Sequence, residues 1–87
     1  MQELNQMLEN LQQQLADKKS EIENSGTTPG ANLLSVIQNR KNDIDFFATS
    51  IKDVSKDPTL AGKIIANFKA DADKISLNIA SIRIDNN

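Results

Sequence analysis

Residues 57–84 carry apolar side chains at alternating steps of four and three, a spacing typical of a helix that packs lengthwise on another helix. This first face consists of Ala61, Ile65, Phe68, Ala72, Ile75, Ile79 and Ile82. A second face lies about half a turn away, at roughly 100° per residue, and is interrupted by Asp73. It consists of Gly62, Ala66, Ala70, Leu77, Ala80 and Ile84. Because one neighbour cannot cover two opposite faces, we expect this helix to have more than one contact.

Two earlier segments have the same heptad pattern. The first predicts a helix over 2–24, with seam positions at Met1, Leu4, Leu8, Leu11, Leu15, Lys18 and Ile22. The second predicts a helix over 29–54, with seam positions at Leu33, Ile37, Arg40, Ile44, Phe47, Ile51 and Val54. Gly26 is a natural left-handed cap for the first helix, and Thr28 followed by Pro29 predicts an N-cap with proline at the first helical position of the second.

The connection between the second and third helices is too short to span the bundle, so these helices should form an antiparallel hairpin. Asp57 followed by Pro58 repeats the cap-then-proline pattern and predicts a third helix over 58–84. The predicted fold class is therefore all-α: a single domain over 1–87 with three long helices in an antiparallel up-down-up bundle or a coiled-coil-like arrangement. A pivot near Lys56 places Ile44 level with Phe68.

The same register places Arg40 level with Ala72, between Asp71 and Asp73. The small alanine would leave room for the guanidinium to cross the seam to a carboxylate. In the alternative, the Arg40 stem lies along the seam and its charged end reaches water.

Residues 75–84 also admit a second interpretation. Their alternation of apolar and polar residues and their isoleucine content are compatible with a strand. The alternation breaks at Ala80, whereas the helical seam continues through Ile82, so helix is the favoured prediction.

The chain is poor in catalytic side chains, since it has no His, Cys, Trp or Tyr. Its closely spaced carboxylates are Glu21 with Glu23, Asp43 with Asp45, and Asp71 with Asp73. Side chains two apart point to different sides of a helix, so a shared metal ion or an acid/base pair is not expected. We predict no enzymatic activity, cofactor or metal site.

Charge and hydropathy limit the partners. Ten basic and twelve acidic residues give a net charge of −2, which provides no long-range attraction for nucleic acid or anionic membranes. Lys52, Lys56 and Lys63 gather near the second turn, but Asp53 and Asp57 lie among them. The first ten residues have neither a basic region nor an apolar stretch, so no signal peptide is expected, and nowhere do 18 apolar residues follow one another. We expect a soluble, cytoplasmic protein that binds neither nucleic acid nor membrane, with a virion or a secreted assembly as the alternative locations.

The sequence feature that indicates a binding partner is apolar surface away from the heptad seams. Phe46, Leu77 and Ile84 lie on the far sides of their helices, while Gly62, Ala66 and Ala70 would let another backbone approach closely. These six residues are the predicted partner-binding site. Alternatively, they are ordinary exposed apolar residues and good helix formers.

Two functions fit these features. The first is a non-enzymatic protein–protein interaction module that forms a homo-oligomer as a structural or assembly component, for example a phage or bacterial accessory protein. The second is a small monomeric effector or inhibitor, encoded by a mobile element, that binds a host protein.

Overall fold

A computed structural model describes residues 2–26, 28–54 and 56–83. It contains α1 over Gln2–Asn24, α2 over Ala31–Val54 and α3 over Pro58–Ala80, and each helix packs against both of the others. The predicted all-α, three-helix bundle is confirmed.

The dimensions of the molecule determine how the helices are arranged. It measures 48 × 18 × 17 Å. Since 23 residues of helix span about 35 Å, and packed helices lie about 8–10 Å apart, this box accommodates three helices only side by side. Short connections between side-by-side helices reverse the chain direction each time, so α1 and α3 are parallel to each other and α2 is antiparallel to both.

The end of α1 has the predicted left-handed cap. Gly26 has a φ of +77°, a conformation that favours glycine. The Ser25 N–H and the Ser25 hydroxyl both donate to the Ile22 carbonyl, at 3.2 and 2.6 Å. These bonds satisfy a carbonyl that has no partner further along the helix.

The start of α2 differs from the prediction. The Leu34 N–H donates to the Gly30 carbonyl at 3.0 Å, so Gly30 is at the N-cap position and α2 begins at Ala31. The predicted cap at Thr28 with Pro29 as the first helical residue is wrong. A helix starting at Pro29 would contain Gly30, which costs up to about 1 kcal/mol relative to alanine inside a helix, whereas glycine is well tolerated as an N-cap.

The start of α3 is confirmed. Asp57 has extended backbone angles, φ −133° and ψ 92°. Its carboxylate accepts from the Thr59 N–H at 3.1 Å and from the Thr59 hydroxyl at 2.7 Å. Pro58 follows at the beginning of the helix, where its missing N–H has no structural cost.

The end of α3 comes earlier than predicted. The helix stops at Ala80, and the Ser81 hydroxyl donates to the Leu77 carbonyl at 2.7 Å. The Ile82 N–H then donates to the Ile79 carbonyl, three residues back, at 3.1 Å, and this tighter bond replaces the next α-helical one at the end of the helix. Ile82 lies beyond the helix but is still buried, 6% exposed. The strand alternative does not hold for 75–80, which are helical, and Ile84 lies outside the described residues.

The core is built from the predicted seams. The buried apolar residues are Leu4, Leu11, Leu15, Ile22, Leu33, Ile44, Phe47, Ile51, Phe68, Ala72, Ile75, Ile79 and Ile82. The rings of Phe47 and Phe68 meet edge to face, with centroids 5.6 Å apart and planes at 89°. This contact lies one helical turn from the predicted pairing of Phe68 with Ile44.

Candidate functional site

Phe46 is the most exposed large apolar side chain in the described part of the chain, at 75%. The next residue, Phe47, is buried at 3%. Successive residues on a helix point about 100° apart, so α2 directs one ring into the core and the other towards solvent. Its predicted position off the seam is thus confirmed by its exposure.

Phe46 lies beside a groove between α2 and α3. The groove has a volume of about 460 Å³. Its apolar lining includes Phe47, Phe68 and Ile75, all of which belong to the core. Its polar lining consists of Arg40, Asp43, Ser50, Asp71, Lys74 and Asn78. The groove therefore combines an apolar base with charges of both signs.

Of the two alternatives for Arg40, the one in which its guanidinium crosses the seam to Asp71 or Asp73 does not hold. Its Nε lies 3.1 Å from Asp43 Oδ2 on the same helix, and the two side chains are 22% and 42% exposed. The Nε atom is buried and has no aligned hydrogen-bond acceptor, so the pair is an ion pair at short distance rather than a well-formed hydrogen bond. An acceptor one turn away on α2 is nearer than a carboxylate across the interface, which explains the difference.

The predicted residues of α3 lie on a separate surface. Ala66 and Ala70 are exposed, Leu77 is 68% exposed, and none of them lines the groove beside Phe46. Gly62 lies in α3, but its exposure is outside the described part of the structure. Ile84 lies outside the described residues. The predicted site therefore separates into a groove containing Phe46 and an outer face of α3 containing Ala66, Ala70 and Leu77.

Leu34 is an exposed apolar residue that the prediction missed. It is 54% exposed on α2, next to the buried seam residue Leu33. Leu34 points about 100° away from the seam residue Leu33, so its off-seam position was a usable signal.

A second groove lies between α1 and α3. Its lining includes Gln14, Lys18 and Ile79. Lys18 occupies a seam position and pairs with Glu21 at 3.2 Å, while Gln14 Oε1 is buried without a hydrogen-bond partner. The polar seam positions Lys18 and Arg40 each pair with an acidic residue three positions later on their own helix.

Within the described ranges, no cluster of acidic side chains is arranged to hold a metal ion. In the described part of the chain, no helix has an apolar stretch long enough to cross a bilayer. No protein-family model, curated protein or solved structure matches this chain.

Proposed function

We propose that this protein is a non-enzymatic helical interaction module that self-associates as a structural or assembly component. The supporting observation is that large apolar side chains stay exposed although the seam residues already form a buried core. Phe46 and Leu77 are 75% and 68% exposed. Fully burying side chains of this size contributes about 1.5–3 kcal/mol each, so a protein partner would stabilise these surfaces.

Small residues extend the apolar surface on α3. Association costs about 4–15 kcal/mol in lost translational and rotational freedom, more than one or two side chains recover. A longer contact strip is needed. Ala66 and Ala70 lie on the same outer face as Leu77 and leave little side chain between their backbone and an approaching helix. They provide close packing, and Leu77 provides most of the buried area.

The double variant Leu77→Asp with Ala66→Glu tests this outer face. Both positions are exposed, so helical content by circular dichroism should remain unchanged. Two new carboxylates in a contact would have to be desolvated, so the oligomer mass by light scattering should fall or partner capture should be lost.

The matched control is Leu34→Asp with Ala16→Glu. It makes the same chemical changes at exposed positions of α2 and α1. The proposal predicts that the control assembles as the wild type does. If the α3 variant also folds and assembles normally, the outer face of α3 is plain solvent surface.

A second candidate is a small monomeric effector that binds another protein. It is favoured by the closed core, because a bundle with an apolar core running along all three helices has what it needs to fold without a second copy. The two candidates differ in native mass: the effector stays monomeric at every concentration and captures a partner through the same exposed residues.

A further inference from the structure

The charged residues of the α2–α3 groove have a directional arrangement. On α2, Asp43 comes three residues after Arg40, and on α3, Lys74 comes three residues after Asp71. Because the two helices are antiparallel, both steps from anion to cation run in the same direction in space. The two cations therefore lie towards one end of the groove and the two anions about 4.5 Å, or a little less than one turn, towards the other.

A two-fold axis makes this arrangement complementary to itself. An axis that lies in the interface, perpendicular to the helices, places α2 against α2 and α3 against α3 in opposite directions. The cations of one copy then face the anions of the other: Arg40 lies opposite Asp43, and Lys74 lies opposite Asp71. Each pair occurs twice, because a two-fold interface repeats every contact.

The same patch also contains an apolar projection and an apolar recess. Phe46 projects beside the groove at 75% exposure, and the axis that pairs the charges brings it opposite the end of the other copy's groove that is lined by Ile75 and Asn78. A two-fold interface requires both complementary features on one surface, because the same surface is used by both copies. Exposed aromatic residues near the centre of such a patch are the usual energetic anchors.

The dimensions and charge of the molecule permit this contact. A stable interface takes about 800 Å² from each partner, and the long side of the bundle measures 48 by 18 Å. One long side therefore has about the required area. The net charge of −2 adds little repulsion between two copies.

We infer that the α2–α3 groove is a two-fold contact with a second copy of this chain, anchored by Phe46 and aligned by the opposed charges of Arg40, Asp43, Asp71 and Lys74. The inference rests on the proposed self-association and adds a contact surface that is separate from the outer face of α3. A different protein in the groove is the competing occupant. The mixed charges disfavour it, since they would match only a partner with the reverse order of charges.

Phe46→Asp tests the anchor. Sedimentation equilibrium should show a dimer dissociation constant raised about 30-fold or more, because an apolar anchor at the centre of the contact is replaced twice by a charge. Leu34→Asp is the control, since Leu34 is exposed but does not line the groove, and it should leave the dissociation constant unchanged. Circular dichroism checks that both variants keep their helices.

A charge swap tests the two-fold alignment. Asp71→Lys alone should raise the dissociation constant about tenfold, because it replaces two attractive pairs by two repulsive ones. Adding Lys74→Asp reverses the order of charges on α3 but keeps the two copies complementary, so affinity should return close to the wild-type value. Both residues are exposed, so the fold should be retained.

The outcomes separate this inference from the proposed function. If the charge swap weakens the dimer as much as Asp71→Lys alone, the two-fold alignment is wrong. If Phe46→Asp leaves the oligomer unchanged while Leu77→Asp with Ala66→Glu dissociates it, the groove is not the contact but self-association stands. A wild type that is monomeric at all concentrations overturns both.

Discussion

At the residue scale, Gly26 shows how a single backbone angle ends a helix. Its φ of +77° lies in the region where residues with a Cβ are strained, and no heavy atom lies within 4 Å of the position that a Cβ would occupy. Any cost of adding a methyl group here is therefore conformational and not a collision with a neighbour.

Gly26→Ala should lower the free energy of unfolding by about 1 kcal/mol, while Gly26→Asn should cost less, because asparagine tolerates the left-handed region. Chemical denaturation of the two variants measures both effects. An alanine variant at least as stable as the wild type would show that the chain at Gly26 relaxes out of this conformation.

The adjacent residues Phe46 and Phe47 provide a matched pair of the same side chain in two environments. Phe47 is 3% exposed and contacts Phe68, whereas Phe46 is 75% exposed. Phe47→Ala and Phe68→Ala should each cost about 3–5 kcal/mol, a large share of the stability of so small a domain. Phe46→Ala should change the stability of the monomer by less than about 0.5 kcal/mol.

The midpoint of urea unfolding, measured in dilute solution, distinguishes these variants. Equal shifts for Phe46→Ala and Phe47→Ala would contradict an orientation of α2 that buries Phe47 and exposes Phe46.

At the element scale, α2 has a charged residue in its apolar seam. Arg40 pairs with Asp43 at 3.1 Å, but the pair is partly exposed, at 22% and 42% of the two side chains. Exposed ion pairs are worth about 0–1 kcal/mol, so this one contributes little to stability. A leucine at the same position would contribute about 1.5–3 kcal/mol if its side chain were fully buried.

Arg40→Leu should therefore stabilise the bundle by about 1 kcal/mol once lost interactions are deducted. Thermal unfolding at low concentration measures this, with Lys41→Leu on the exposed side of α2 as the control. A clear loss of stability for Arg40→Leu, with none for the control, would show that the Arg40–Asp43 pair is worth more than its exposure indicates.

The elements also show what the sequence could predict. Among the residues whose burial the structure describes, every buried core residue belongs to a predicted heptad seam, because burial in a helical bundle follows the helical period. The helix ends were less predictable. Thr28 and Gly30 are both acceptable N-caps, and a serine such as Ser81 can either continue a helix or cap its end. These alternatives differ by about 1 kcal/mol, which an apolar pattern does not resolve.

The candidate site was predictable only in part. The position of Phe46 off the seam follows from the sequence, and its exposure confirms it. The residues opposite it on α3 depend on the register between two helices, and the Phe47–Phe68 contact differs from the predicted pairing by one turn. The groove, which includes Asp71 and Lys74, therefore could not be assembled from the sequence pattern.

At the scale of the whole molecule, the bundle is a short rod. Its radius of gyration is 14.6 Å, compared with about 12 Å for a compact domain of this length. A rod buries less of its surface than a sphere, so a small rod-shaped domain gains more from lateral contacts with other chains. The exposed side chains of Phe46 and Leu77 are consistent with such contacts.

Sedimentation equilibrium of the wild-type protein over a wide range of concentrations tests self-association most directly. The monomer mass is 9.6 kDa. We predict a mass that rises with concentration to a defined multiple of this value, beginning with the dimer. A mass of 9.6 kDa at every concentration would contradict it.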